Sequence, residues 1–361
     1  MAFDKIIGQN RVKEFFQKAF TSGRLSHAYL FVGERGVGKV AMAVELAKAL
    51  ICPDGLNCQK GACTDCSRIS KLNHPDVHLI FPAPAKIKED EHQKIVASVA
   101  ADPYQRLELW ANPSISIERI RDVRHTSSFK SFEGKGRVEI IVDCERMTTE
   151  AANALLKILE EPPDKMFIIM ISSRPSLLLP TIVSRCQSIK FDPLSVEDIE
   201  TALQERNSVA EKQARLMARL AGGSYRHALD LLDDNLQEMQ TKALELFRKS
   251  VQNEFTQILY IEDILQTVQR DQKKVKELLT LLIIWFRDAL IFKETDGQTD
   301  DNLINLDELE VLSNFTKHFP NADMHSAVQE IEKALELMER NVQINLILIV
   351  LLNKLRNYIR R

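Results

Sequence analysis

The chain has 361 residues, which at roughly 100 to 200 per domain implies two or three domains and excludes a single small module. Its 48 Lys plus Arg and 51 Asp plus Glu leave a net charge of −3, so no global positive field exists to drive non-specific nucleic-acid or membrane binding. A composition of 45% hydrophobic and 27% charged residues with only 12 glycines is that of a globular, helix-rich chain.

The longest apolar runs, Leu281 to Phe286 and Leu346 to Leu352, are far shorter than the ~18 residues a membrane span needs, and Met1 to Lys5 lacks the apolar core of a signal peptide. These features predict a cytoplasmic protein with no membrane association. In such a reducing setting, the four cysteines between positions 52 and 66 are expected to hold metal, not disulfides.

In chain order, His27 to Val32 has a buried-strand pattern, followed by a glycine-rich turn from Gly33 to Gly38 and a helical pattern over Lys39 to Leu50. A strand is predicted at Val77 to Phe81. The proline-bearing, charged stretch 82–113 reads as a partly ordered surface insertion, and Ile117 to Val123 as helical. Apolar runs at Val138 to Val142 and Phe167 to Ile171 flank a helical pattern from Glu150 to Leu159, which ends at Pro162-Pro163. Strands alternating with helices predict an α/β fold with a parallel sheet covered on both faces. Beyond Pro193 the strand signals cease. Leu194 to Asp234 reads as a small helical unit broken at Gly222-Gly223, and the rest as all-helical, with long amphipathic patterns over Lys274 to Phe292 and Ala327 to Arg356. The expected domains are therefore 1–192, 193–234 and 235–361. The apolar face Leu278, Leu281, Leu282 and Trp285 exceeds what a small helical unit usually hides, so it is expected to join subunits.

The chemistry starts at Gly33-Glu34-Arg35-Gly36-Val37-Gly38-Lys39. This matches seven positions of the P-loop, whose backbone N–H groups and following helix N-terminus cradle phosphates while the lysine neutralises them. The eighth position should carry a magnesium-binding hydroxyl, but it is Val40. Asp143, after the apolar run Ile140-Ile141-Val142, supplies the carboxylate expected on the metal side. Cys144 stands where many such ATPases place the glutamate that polarises water. Glu145 is one residue late, and in an extended strand would face the other way. Such a site is equipped to hold the phosphates of ATP or ADP but poorly equipped to hydrolyse them. Cys52, Cys58, Cys63 and Cys66 can supply four thiolates to one tetrahedral, structural Zn²⁺. His74 and His78 are candidate substitutes, although His74-Pro75-Asp76 reads better as a turn.

Four segments, Phe3 to Gln9, His27 to Phe31, Ala152 to Pro163 and Ser184-Arg185-Cys186, resemble signature segments of the AAA+ clamp-loader family. The resemblance runs over about Phe3 to Asp234. It implies a P-loop AAA+ domain with a zinc module, a helical lid and a helical collar, in a hetero-oligomer that loads a sliding clamp onto primed DNA alongside subunits of gamma/tau and delta type. The family's zinc module usually ends in two successive two-residue gaps, whereas four residues separate Cys58 from Cys63 here. Arg185 would be an arginine finger reaching ATP bound by a neighbouring subunit, which suits a permanent, forked cation. Arg226 matches the lid's sensor 2 position, and Ser172 or Ser173 falls in the sensor 1 region. The degenerate site points to a regulatory member with little ATPase of its own. The alternatives are a hydrolysing gamma/tau-type motor, disfavoured by Val40 and Cys144, and a stand-alone zinc-bearing DNA-binding protein, disfavoured by the near-neutral charge.

Overall fold

The computed structural model describes residues 3–58, 63–84, 87–105, 110, 113–121, 136–233, 236–252, 254–267, 271–295, 309–340 and 342–360. Five strands, β1 (Ala28–Val32), β2 (Val77–Ile80), β3 (Arg137–Ile141), β4 (Met166–Ser172) and β5 (Gln187–Lys190), form one sheet in the order β2-β3-β4-β1-β5. Every pairing is parallel, with Ala28 beside Ile168, Val138 beside Phe167, Val77 beside Val138 and Tyr29 beside Gln187. All five strands therefore end at one edge. Because β4 lies between β1 and β3, the loops after β1 and β3 flank the loop after β4, the kind of crevice at strand carboxyl ends where open α/β sheets bind ligands.

Alternation along the strands sends side chains to two covered faces. On one, Ala28, Leu30, Ile141 and Met170 pack with Leu155 and Ile158 of the helix Thr149–Glu160. On the other, Tyr29 and Phe31 pack against Phe16, and Phe31 also against Phe191. The helix Thr149–Glu160 begins where the Thr148 hydroxyl accepts the Ala151 N–H at 3.2 Å, an N-cap that satisfies one of the orphan donors of the first turn.

Two elements depart from expectation. β5 lies on the sheet edge and exposes Gln187, Ser188 and Lys190, so it lacks the apolar run that marks β1, β3 and β4. The stretch 82–113 contains a helix of 13 residues, Glu89–Ala101, whose Ile95 and Val99 are buried one turn apart. Its described part is thus packed structure and not a loose surface excursion.

The chain divides into two compact units, Met1–Val209 with Ala221–Leu229, and Ala210–Leu220 with Asp230–Arg361. The segment 193–234 is shared between them: Val196–Asn207 and the start of Tyr225–Asp233 belong to the first, Glu211–Leu220 to the second. The second unit is helical, built on the 23-residue helix Gln272–Glu294. Phe247, Trp285 and Phe315 form an aromatic knot with ring centroids 4.8 to 5.3 Å apart. Leu278, Leu281, Leu282 and Trp285 are all buried within this unit, which corrects the expectation that they form an exposed joining face. The pattern Ala327 to Arg356 is two helices, Met324–Glu339 and Ile344–Ile359, separated at an extended Gln343. Packing these two against each other lets Ile331, Met338, Leu348 and Leu355 be buried, which one straight helix would not achieve.

Candidate functional site

Gly33 to Lys39 leads from β1 into the helix Lys39–Ile51. Gly36 and Gly38 have φ of 78° and 95°, a left-handed backbone that favours glycine. Lys39 is 6% exposed, and its ammonium donates to the carbonyls of Gly33 at 2.6 Å and Glu34 at 2.5 Å. Burial pushes its pKa down to about 8, against the pull of Asp143 and Glu145. Arg35, within the loop itself, places Nη2 3.3 Å from Asp143 Oδ2. Burial pushes the Asp143 carboxyl above its ordinary value while the Arg35 charge opposes this.

After β3 the backbone does not stay extended. Asp143 adopts φ 48°, ψ 48°, and Cys144–Arg146 form a 3₁₀ turn. Cys144 therefore points into the core, where burial holds its thiol protonated. Glu145 turns to the loop after β4, where its Oε1 accepts the Ser173 N–H at 3.1 Å and hydroxyl at 3.0 Å. The strand-alternation argument that removed Glu145 from the site fails because the strand ends at Ile141. Ser172 is buried, and its hydroxyl accepts the N–H of Arg174 at 3.0 Å.

Arg226, in the helix Tyr225–Asp233, lies against the phosphate loop. A Cβ at Gly36 would come within 2.2 Å of Ser224 Oγ and 2.8 Å of Arg226 Cβ, and the Tyr225 N–H donates to the Gly36 carbonyl at 3.1 Å. Arg226 Nη1 is 3.9 Å from Asp102 Oδ2. Gly33, Gly36, Gly38, Lys39, Asp143 and Arg226 are thus gathered at the carboxyl edge of the sheet.

Arg185 is elsewhere. It precedes β5 by two residues, and Gln187 pairs with Tyr29 while Lys190 pairs with Val32, so Arg185 lies beyond the amino edge. Three strand rises, about 10 Å, separate even Gln187 from the end of β1 that launches the P-loop. Its Nη2 is 2.8 Å from Glu160 Oε1 and its Nη1 donates to the Thr181 carbonyl at 3.0 Å, with the arginine side chain 37% exposed and that of Glu160 48%.

The sulfur atoms of Cys52, Cys58, Cys63 and Cys66 all lie within 4.8 Å of one another. Cys52 and Cys63 are 3.5 Å apart and Cys58 and Cys66 3.7 Å, close to the about 3.8 Å edge of a tetrahedron with metal–sulfur bonds of about 2.3 Å. Cys63 Sγ caps the helix Thr64–Ser70 by accepting the Cys66 N–H at 3.3 Å. Burial pushes the Cys52 thiol up to about 11 and that of Cys66 higher, so a cation is what would make these sulfurs thiolates. The four residues fit a metal ion. Cys58 belongs to the group despite its wide spacing, and residues 59–62 lie outside the described ones. His74 and His78 stand apart: His74 Nε2 is 3.9 Å from Asp65, and His78 Nδ1 is 3.0 Å from Glu139 Oε1 across β2 and β3.

A profile of the family described as "DNA polymerase III, delta subunit" matches residues 8–195, and one described as that subunit's C terminus matches residues 243–357. The delta' subunit of DNA polymerase III from Bacillus subtilis is 29% identical over 92% of this chain and 90% of its own length. The chain belongs to the DNA polymerase III delta' family of clamp-loader components. The tau subunit from Escherichia coli K12 is 31% identical, but over 64% of this chain and only 32% of its own length. The solved structure of a DNA polymerase III gamma subunit-related protein from Thermotoga maritima aligns over 96% of this chain and 98% of its own, at 18% identity and a TM-score of 0.36. No helix among the described residues is long and apolar enough to cross a membrane.

In this delta' family member, five residues at the two edges escape motif spacing. Arg35 sits inside the P-loop pattern, where its charge was a legible signal for a carboxylate partner. Glu145 was visible but misplaced by the strand rule. Asp102 and Tyr104 come from the 82–113 stretch and reach the loop through contacts nearly a hundred residues away in sequence, such as Ile7 to Tyr104. Glu160 lies in a signature segment, and nothing in its spacing announces Arg185 as its partner.

Proposed function

We propose that this clamp-loader component is a regulatory subunit that hydrolyses little or no ATP, lends Arg185 to ATP held by a neighbouring gamma/tau-type subunit, and thereby helps load the sliding clamp onto primed DNA. One observation supports the trans role most directly: Arg185 and the chain's own P-loop are at opposite edges of one parallel sheet, so the guanidinium lies apart from its own subunit's phosphate loop. A forked cation on an accessible edge, held by one carboxylate and one carbonyl, keeps donors for a phosphate presented from outside. The loop's own groups support a degenerate site that takes ATP or ADP weakly if at all. Val40 brings no hydroxyl, Asp143 already faces Arg35, and Cys144 is in the core. The four cysteines serve a structural Zn²⁺, since four sulfur ligands leave no open position for chemistry. Within the segment 193–234, residues 193–209 and 221–229 act as the lid over the loop, and 235–361 as the collar that joins delta-type and gamma/tau-type partners.

The deciding experiment is reconstitution of the complex with Arg185→Ala. Assembly by gel filtration and the melting curve should stay unchanged while DNA-stimulated ATPase and clamp loading fall. Unchanged rates in a properly assembled complex would remove Arg185 from catalysis. A collapse of stability would mark it as a structural ion-pair partner instead.

A further inference from the structure

The function above leaves the 82–113 stretch without a task, yet two of its residues, Asp102 and Tyr104, pack beside the phosphate loop. Tyr104 is 5% exposed and 97 residues from Ile7, whose N–H it accepts at 3.0 Å. A Cβ at Gly38 would lie 3.1 Å from the Tyr104 hydroxyl and 3.2 Å from its ring carbon Cε1. The same ring meets Tyr225 edge to face at 5.2 Å, and the Arg206 guanidinium is 5.8 Å from its centroid. Asp102 fixes this arrangement: its Oδ1 accepts the Tyr104 N–H at 2.9 Å and its Oδ2 faces Arg226 at 3.9 Å.

A nucleotide needs the same surfaces. Phosphates approach a P-loop through the bare backbone of its glycines. The nucleoside then leaves the loop into the space bounded by the segments beside it, here the chain around Ile7 and the helix beginning at Tyr225. Tyr104 bridges those two segments and covers Gly38. Asp102 sets a carboxylate on Arg226, so a phosphate reaching that arginine meets a like charge.

We propose that Asp102 and Tyr104 occupy the nucleoside end of this chain's own P-loop site and so set its affinity for adenine nucleotides. The proposal rests on reading Gly33 to Lys39 as a phosphate loop. Asp102 and Tyr104 then work as an internal competitor. When a closed arrangement dominates, apparent affinity falls by the fraction of molecules left open, so a plug favoured about ten to one weakens binding about tenfold.

The test is a titration of the full chain with a fluorescent ATP analogue, with and without excess unlabelled ADP. Tyr104→Ala should bind about tenfold more tightly than the unaltered chain, and Asp102→Asn about two- to threefold more tightly, since it removes one partly screened charge. Adding Lys39→Ala to Tyr104→Ala should abolish the gain, which locates it at the P-loop. Should Tyr104→Ala melt early, Asp102→Asn carries the test alone, because its side chain is 39% exposed and its removal leaves the core intact. No gain in a folded variant, or a gain that survives Lys39→Ala, overturns the proposal. Neither outcome bears on Arg185, whose role is read from the ATPase of neighbouring subunits in the assembled complex.

Discussion

At the carboxyl edge of the sheet, Lys39 gives its bonds to two loop carbonyls and Asp143 faces Arg35, so the charged groups of the phosphate loop are met from within the chain. At the amino edge, Arg185 is matched only by a half-exposed Glu160 and one carbonyl. Ion pairs that open to water are worth about 0 to 1 kcal/mol, so Arg185 can part from Glu160 at small cost. Lys39 and Asp143 are more buried and would have to be stripped of partners in a less polar setting, where each loss is dearer. The same sheet thus holds one cation that is easily released and another that is locked.

The helix Lys39–Ile51 joins the two edges, because it starts at the P-loop and hands over to Cys52 at its far end. The largest effect should therefore follow loss of the metal cluster. Protein purified without chelators should carry about one Zn²⁺ per chain by elemental analysis, and Cys66→Ser should lose it. Hydrogen exchange should then rise across 39–70 but not across 180–190, leaving the Arg185 edge as it was. Far less than one zinc in the unaltered chain would reject the site, and equal loosening of both edges would break the comparison.

Next in size is the contrast between two cations. Arg185→Ala should lower the DNA-stimulated ATPase of the reconstituted complex several-fold, well short of the ~10³ to 10⁵ of single-site arginine fingers, because the remaining sites keep their own. Lys39→Ala in the same complex should change that rate little. If the two variants reverse this order, the roles of the edges are exchanged. The isolated chain, in turn, should hydrolyse ATP at background rate, and a robust Lys39-dependent turnover would mean that the P-loop edge is not locked.

The smallest effect concerns the edge strand β2. The hydrogen bond to Glu139 raises the pKa of His78 above its ordinary value, with burial, Arg137 and Asp76 as lesser influences. A folded pKa above the unfolded one adds stability that is complete below about pH 6.5 and fades as pH rises through the folded value. The imidazole side chain is 40% exposed, so screening holds this to about a few tenths of a kcal/mol. Melting curves from pH 5.5 to 8.5 should show the slope, and His78→Gln should flatten it. An equal slope in that variant would assign it to other groups.

What could be read in advance followed from local pattern. β1, β3 and β4 are continuous apolar runs because both sheet faces are covered, and the P-loop glycines, Lys39, Asp143 and the four cysteines announce themselves by spacing. β5 stayed hidden because an edge strand with three exposed residues need not be apolar. The helix Glu89–Ala101 stayed hidden because only Ile95 and Val99 turn inward among charged neighbours. Tyr104, Arg35 and Glu145 act through partners far away in sequence or through a turn that ends a strand early, and neither kind of information is carried by a window of a dozen residues.

The left-handed Asp143 and the tight turn after it decide what position 144 can hold. A glutamate placed at position 144 would be sent by this backbone into the cluster that holds Ile141, Ala152 and Cys186. Burying an unpaired charge there costs several kcal/mol, more than a marginally stable domain can spare. The turn therefore makes position 144 a core position, and a water-polarising group there would need a change of backbone as well as of residue.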